Sequence, residues 1–211
     1  MELFDYRKDY TSNELLEENL EKNPFKQFEK WFKEAEIFKI FEPNAFNLAS
    51  CDKTGKLSSR IILLKEFSDV GFTFFTNYES KKASQIVENT NVAINFFWGE
   101  MQRQIRIEGV IEKIAKDKSE EYFRMRPRES QIGALVSKQS AKLSSRKELD
   151  DKYLELENFY KDKEIPFPEN WGGYIIKPNY FEFWQGRTSR LHDRITFEKN
   201  ETGWDFFRLS P

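Results

Sequence analysis

Two periods of apolar residues divide the chain. After Asn23-Pro24, apolar side chains recur at Phe25, Phe28, Trp31, Phe32, Ala35 and Phe38. That spacing predicts a helix with Asn23 as cap, Pro24 in its first position and an aromatic face on the core. Upstream, residues 11–14 (TSNE) read as a capping box and predict an earlier helix start. From Phe46 the period becomes two, which predicts strands over 46–51, 57–67, 72–76, 92–98 and 103–115. Turn chemistry falls at 52–56 and 68–71. A helix fits 80–88, and helical spacing returns at 119–125, 130–136 and 145–160. In the last of these, Leu149, Tyr153, Leu156 and Tyr160 share one face. The chain goes back to strands at 173–176, 180–184, 191–197 and 204–209. Many strands with hairpin-length connections, and helices inserted rather than alternating, predict a mainly β (α+β) fold. Its expected form is a mostly antiparallel barrel with peripheral helices.

Composition narrows the class of partner. A chain of 211 residues fits a single domain, and a net charge of −2 gives no global field toward nucleic acid or a membrane surface. The apolar run at 61–64 is too short to span a bilayer. Residues 1–5 have neither the basic nor the apolar region of a secretory leader, so the cytoplasm is the expected location. Cys51 is the only cysteine and His192 the only histidine, which leaves no internal disulfide and no metal site to expect.

The candidate chemistry is rich in anion-binding groups and poor in acid–base groups. No glycine-rich dinucleotide or Walker-type loop is present. Ser80-Lys81-Lys82 opens the 80–88 helix, placing a hydroxyl, free amides and two cations where a phosphate binds well. Arg60 and Lys65 bracket Ile61, Ile62, Leu63 and Leu64, a run apolar enough for a fully buried strand. The two cations either serve different ligands or lie on a bent strand. Tyr122 and Arg126 share a helical face, Pro127 ends that helix, and Ser130 is placed to cap the next. These three residues form a second phosphate-sized site. Gln104, Arg106 and Glu108 make the polar face of a half-buried strand, and Gly172-Gly173 marks a close approach. In Arg190-Leu191-His192-Asp193-Arg194, strand alternation would put Arg190, His192 and Arg194 on one face. Taken singly, these features also fit solvated lysines, an ordinary helix–turn–helix and a strand edge with a stray histidine. Together they suit a protein that holds phosphorylated molecules while a cofactor reacts.

In order along the chain, these segments resemble the pyridoxine (pyridoxamine) 5′-phosphate oxidase family. The resemblance rests on 60–65 (RIILLK), 76–83 (TNYESKKA), Arg103-Gln104, Tyr122-Phe123 and Arg126-Pro127-Arg128. It continues through 130–134 (SQIGA), 136–140 (VSKQS), Trp171-Gly172-Gly173, 183–186 (FWQG), 190–194 (RLHDR) and 208–211 (RLSP). It implies an FMN-binding split β-barrel over residues 1–211, with a mobile segment at 1–22 and C-terminal strands at 171–211 completing the site. The implied protein is a homodimer with FMN at the subunit interface. The implied reaction oxidises pyridoxine or pyridoxamine 5′-phosphate to pyridoxal 5′-phosphate, with hydride passing from C4′ to flavin N5 and O2 as acceptor. The implied FMN contacts are Arg60, Ile61, Ile62, Leu63, Leu64, Lys65, Phe75, Thr76, Lys81, Lys82 and Gln104. Gln139, Ser140, Trp184 and Arg194 join them, assigned to the partner subunit. The substrate phosphate falls to Lys65, Tyr122, Arg126 and Ser130, and the substrate ring to Arg190 and His192. Arg190 is implied as a planar cation over that ring, and His192 as the group that orients the substrate oxygen or accepts its proton. Arg7 and Tyr10 match an N-terminal pair that covers the substrate. Phe75 and Lys81 depart from the tyrosine and arginine common in relatives, removing a hydroxyl and a bidentate fork. The competing expectations are another split-barrel flavin reductase and a non-catalytic pyridoxal phosphate carrier.

Overall fold

Asn23 starts the first helix as its sequence predicts. Its Oδ1 accepts from the amides of Phe25 at 2.8 Å and Lys26 at 3.4 Å, and Pro24 leads α1 (Pro24–Ile37). The computed structural model describes residues 2–5, 9–11 and 13–211. Phe25, Phe28, Trp31 and Ala35 are buried on the inner face of α1, whereas Phe38 lies past its end and is exposed. Arg103 pins the helix to the sheet: its guanidinium sits 4.4 Å from the Trp31 ring centre and pairs with Glu34. The capping box at 11–14 caps no helix among the described residues. Only a single 3-10 turn, Glu17–Asn19, follows it, and no side chain caps that turn.

The strands are β1 (Ala45–Cys51), β2 (Leu57–Leu63), β3 (Glu66–Phe67), β4 (Phe72–Asn77), β5 (Asn91–Trp98) and β6 (Arg103–Lys113). After them come β7 (Trp171–Gln185), β8 (Asp193–Lys199) and β9 (Trp204–Leu209). Between them lie α2 (Lys81–Glu88), α3 (Lys116–Met125), α4 (Arg128–Val136) and α5 (Arg146–Tyr160). All pair antiparallel in one curled sheet of order β2-β1-β5-β6-β7-β4-β3, with β8 and β9 branching from β7. This is a split half-barrel, mainly β: the strand pattern predicts the antiparallel barrel with peripheral helices, and the resemblance implies the split.

β7 makes the split. Its first half pairs with β4 and its second half with β8, while β6 runs along most of it, from Tyr174 to Gln185. The β6–β7 register slips where Gly109 faces Pro178 and Glu108 faces Tyr180, so Asn179 is an extra residue. Pro178 cannot donate to a ladder, and a bulge tolerates it. The sequence predicts two strands here, at 173–176 and 180–184; the bulge lets one strand carry both.

Two cores result. Inside the curl lie Phe28, Phe72, Phe74, Phe96, Phe181, Phe183 and Phe197, all fully buried. Removal of each such ring from water contributes about 1.5–3 kcal/mol. A smaller core of Phe123, Ile132, Val136, Ile165 and Trp171 joins the helices to the start of β7. The faces of α5 and α1 differ accordingly. Leu149, Tyr153, Leu156 and Tyr160 pack only partly buried against the smaller core. No helix of the described residues is long and apolar enough to cross a membrane.

The expected single strand over 57–67 is broken. β2 ends at Leu63 and β3 begins at Glu66, because the amides of Leu64 and Lys65 turn to Asn44 and Thr73. The run 61–64 is also not fully buried. β2 closes one end of the sheet order, Ile61 is 64% exposed, Ile62 packs half-buried against the core, and only Leu64 is buried in it. The bend resolves the spacing of Arg60 and Lys65, which sit on either side of it.

Candidate functional site

The bend after β2, the end of β4 and the α3–α4 corner enclose a cavity of about 590 Å³. One wall is a stack of three rings. Phe75 lies 4.0 Å from Tyr122 and 5.4 Å from Trp171, with planes within 18° and 10° of parallel. The stack needs Gly173, since a β-carbon there would meet the Phe75 ring at 2.9 Å. Gly172 likewise makes room for Tyr78, whose ring a β-carbon would meet at 2.7 Å. This is the close approach that Gly172-Gly173 predicts.

Arg126 stands over the end of this stack, its guanidinium carbon 4.7 Å from the Trp171 ring centre. Its Nη1 is buried and has no hydrogen-bond partner. Burial lowers its pKa, with the nearby Tyr122 acting the other way. An unpartnered buried guanidinium nitrogen is costly unless an anion meets it. Lys65, Tyr122 and Ser130 line the same cavity. Ser130 does not cap α4: Pro127 holds the cap position, and Ser130 lies within the first turn with its amide on the Pro127 carbonyl at 2.9 Å.

A second group of cations stands at the other end of the cavity. Ser80 caps α2, accepting from the Ala83 amide. Behind it Lys82 turns inward, 7% exposed, while Lys81 faces out. Lys82 Nζ donates to Thr76 Oγ1 at 2.8 Å, Ser80 Oγ at 3.2 Å and Gln139 Oε1 at 2.7 Å. Every one of these acceptors is neutral. Burial, and then the charge of Arg60, push Lys82 down to about 8. Arg60 also meets only neutral acceptors, the Leu48 carbonyl and the hydroxyls of Ser50 and Ser58, at 3.2, 2.7 and 2.5 Å. Burial lowers its pKa too. A buried ammonium beside a half-buried guanidinium, neither bonded to a carboxylate, suits a phosphate dianion.

Of the candidate residues, Ile61, Ile62, Leu63, Lys65, Phe75, Thr76, Lys82, Tyr122, Arg126, Ser130 and Gln139 line this cavity. Leu64 packs in the core instead, and Arg60 reaches under β1. The resemblance assigns Gln139 and Ser140 to the partner subunit. In the structure Gln139 binds Lys82 of its own chain, and Ser140 Oγ accepts from the Lys81 amide at 3.3 Å.

Tyr10, Trp184, His192, Arg194, Gln104 and Arg190 are absent from the cavity lining. A separate aromatic group forms where the His192 ring lies 4.7 Å from Trp184 and 5.5 Å from Tyr10. Gln104 and Arg194 flank Trp184 in the strand register. Arg7 lies outside the described residues. The expected shared strand face of Arg190, His192 and Arg194 does not exist. β8 starts only at Asp193, and residues 188–190 form a 3-10 turn with positive φ at Ser189 and Arg190. Alternation therefore stops short of His192 and Arg190. His192 Nδ1 accepts from the Arg187 amide at 3.1 Å. Burial and the charge of Arg190 hold its pKa below the ordinary imidazole value, with Asp193 opposing.

Sequence reasoning missed Glu182. Its carboxylate is buried and accepts from Arg194 at 3.1 and 2.9 Å and from Arg106 at 3.0 Å. Burial acts to raise its pKa, but the hydrogen bond and charge of Arg194, with help from Arg106 and Tyr180, outweigh it and keep the carboxyl low. The available signal was a lone acid between Phe181 and Phe183.

Comparison with known proteins adds a lineage to this geometry. The sequence profile described as "Pyridoxamine 5'-phosphate oxidase" matches residues 33–160, and one described as "Pyridoxine 5'-phosphate oxidase C-terminal dimerisation region" matches residues 171–211. The chain is 49% identical to the pyridoxine/pyridoxamine 5′-phosphate oxidase of Crocosphaera subtropica, over 100% of both chains. It is also similar to crystalline PhzG of Burkholderia lata, with TM-score 0.89, 26% identity and coverage of 95% of this chain and 99% of that one. An FMN-binding protein of Nostoc punctiforme related to pyridoxamine 5′-phosphate oxidase shares the fold. There the TM-score is 0.71 at 14% identity, covering 92% of this chain and 99% of that one.

Proposed function

The chain belongs to the pyridoxamine 5′-phosphate oxidase family, an oxidoreductase family, and from that membership we propose a specific reaction and a division of labour. It oxidises pyridoxine 5′-phosphate and pyridoxamine 5′-phosphate to pyridoxal 5′-phosphate. The observation that carries this reading is that Lys82, with Arg60 behind it, and Arg126, with Lys65, bring two cation groups to one cavity. Neither is neutralised by a carboxylate among the described residues.

FMN fits the first group by the chemistry of its donors. Arg60, Lys82, Thr76 and Gln139 offer a half-buried and a buried cation and neutral hydrogen-bonding groups to a phosphate, with Lys81 and Ser140 at the rim. Ile61, Ile62 and Leu63 supply apolar and backbone contacts beside it, and Leu64 anchors the bend in the core. When bound, FMN supplies the acceptor for hydride from the substrate C4′, and O2 takes up the electrons as H2O2, with ammonia released from the amine.

The chain's own residues then bind and orient. Arg126, Tyr122, Ser130 and Lys65 take the substrate phosphate, the orphaned Arg126 Nη1 gaining its missing acceptor. Arg190 sets a planar cation against the substrate ring and His192 orients the substrate oxygen or accepts its proton. Tyr10 and Arg7 cover the site and exclude water. Gln104, Trp184, Arg190, His192 and Arg194 lie outside the cavity of their own chain, so they complete the cavity of a second copy. The match of residues 171–211 to a dimerisation region supports that homodimer. Fixing C4′ against its acceptor supplies much of the rate.

Oxygen uptake with pyridoxine 5′-phosphate tests the reading. The proposal expects uptake with matching pyridoxal 5′-phosphate formation. A carrier would consume no oxygen, and a flavin reductase of other specificity would turn over only with a different donor.

A further inference from the structure

Three parts of the chain meet on the carboxylate of Asp193. Its Oδ2 accepts from the Leu15 amide at 3.1 Å and from Arg187 Nη1 at 3.1 Å. Its Oδ1 accepts from Arg208 Nη1 at 2.7 Å. Arg208 in turn grips both carboxylate oxygens of Glu17 at 2.8 Å and the Leu15 carbonyl at 2.8 Å. Arg187 extends the other way and donates through Nη2 to Glu14 at 2.8 Å. The guanidinium of Arg187 is thus fixed at both ends, and with it the backbone amide that reaches His192 Nδ1.

That amide decides where the imidazole proton resides. A neutral imidazole has one bare nitrogen and one N–H. The Arg187 N–H occupies the lone pair of Nδ1, so the proton sits on Nε2. Resting on the reading that His192 faces the substrate ring, we propose that Asp193 and Arg187 are positioning residues. They hold His192 as a hydrogen-bond donor through Nε2. In this state Nε2 cannot accept a proton from the substrate, and protonation of Nδ1 would break the Arg187 bond. His192 therefore orients the substrate oxygen by donation. The clamp also ties residues 14–17 to the hairpin that carries His192, which places Tyr10 near its ring.

The chain's single histidine makes the test direct. Tag-free protein labelled with 15N-histidine gives one imidazole pattern, and long-range 1H–15N correlation reads its tautomer without assignment. The expected pattern at neutral pH is Nε2–H with bare Nδ1. Asp193→Asn keeps an acceptor for Arg208 but points an N–H at Leu15 and Arg187. It should average the two nitrogen shifts and lower kcat about tenfold, with FMN content unchanged. Should that variant lose FMN and its cooperative melt, Glu14→Gln, at the exposed end of the clamp, should move the shifts the same way by less. An Nδ1–H tautomer in the native protein, or an imidazole pattern unmoved in both variants, overturns the proposal. A native Nε2–H pattern without oxidase turnover contradicts the functional reading alone. An Nδ1–H pattern in an active oxidase contradicts the positioning alone.

Discussion

Lys82 Nζ donates to Gln139 Oε1 at 2.7 Å, joining the first turn of α2 to the loop after α4. The contact leaves a buried ammonium among neutral acceptors, next to the equally unneutralised Arg60. Replacing Lys82 by Met removes the charge but keeps much of the volume. A hydrogen bond to a charged group contributes about 1.5–3 kcal/mol, so FMN affinity should fall by about ten- to a hundredfold. Flavin absorbance per protein after gel filtration reads the loss. Full flavin retention would place the phosphate elsewhere.

The same lysine should make FMN binding depend on pH. Burial and Arg60 lower it to about 8 from the ordinary 10.5. A bound phosphate favours the charged form, so affinity is complete below about 8 and declines as pH rises above it. Without FMN the sign for folding is opposite. Between about 8 and 10.5 the unfolded chain holds more protons than the folded one, so this group adds stability as pH rises. Titrations of FMN fluorescence from neutral to alkaline pH should show affinity falling, and Lys82→Met should flatten the slope. A native protein with a flat profile would contradict the assignment.

Arg126 makes the opposite separation. Its buried Nη1 lacks an acceptor, and the reading gives it the substrate phosphate. Arg126→Met should raise KM for pyridoxine 5′-phosphate by about ten- to a hundredfold, from the same class of charged hydrogen bond. Flavin content should stay at the native level. Loss of flavin with an unchanged KM would reverse the two phosphate assignments.

Arg190 lies on a strained turn outside its own chain's cavity, 3-10 in form and with φ of 61°. Arg190→Met should reduce turnover much more than flavin retention. A variant that loses FMN yet keeps its rate per bound flavin would move Arg190 from the substrate to the cofactor.

How much of this was legible in the sequence depended on whether local pattern or distant contact decides each feature. Asn23 and Pro24 carry the start of α1 within a few residues, and Ser80 does the same for α2. β5 and β6 alternate because one face packs in the curl and the other does not. The cavity's cations were legible too, since Lys82 at a helix start and Arg126 one turn after Tyr122 are singled out by local spacing.

The failures come from tertiary pairing and from backbone turns that no periodicity announces. Residues 61–64 look fully buried by composition, yet β2 closes one end of the sheet order and exposes Ile61. Alternation across 190–194 fails because positive φ at Ser189 and Arg190 turns the chain just before β8. The partners of Asp193 lie as far away as Leu15, 178 residues off, and no spacing rule reaches that distance.

The central claim is that this cavity brings a phosphorylated B6 vitamer to a bound flavin. Anaerobic titration of the purified, FMN-loaded protein with pyridoxine 5′-phosphate tests it most directly. Stoichiometric bleaching of the flavin absorbance, one pyridoxal 5′-phosphate formed per flavin, and recovery of the spectrum on admitting air are expected. A flavin spectrum that stays oxidised through the whole titration would contradict it.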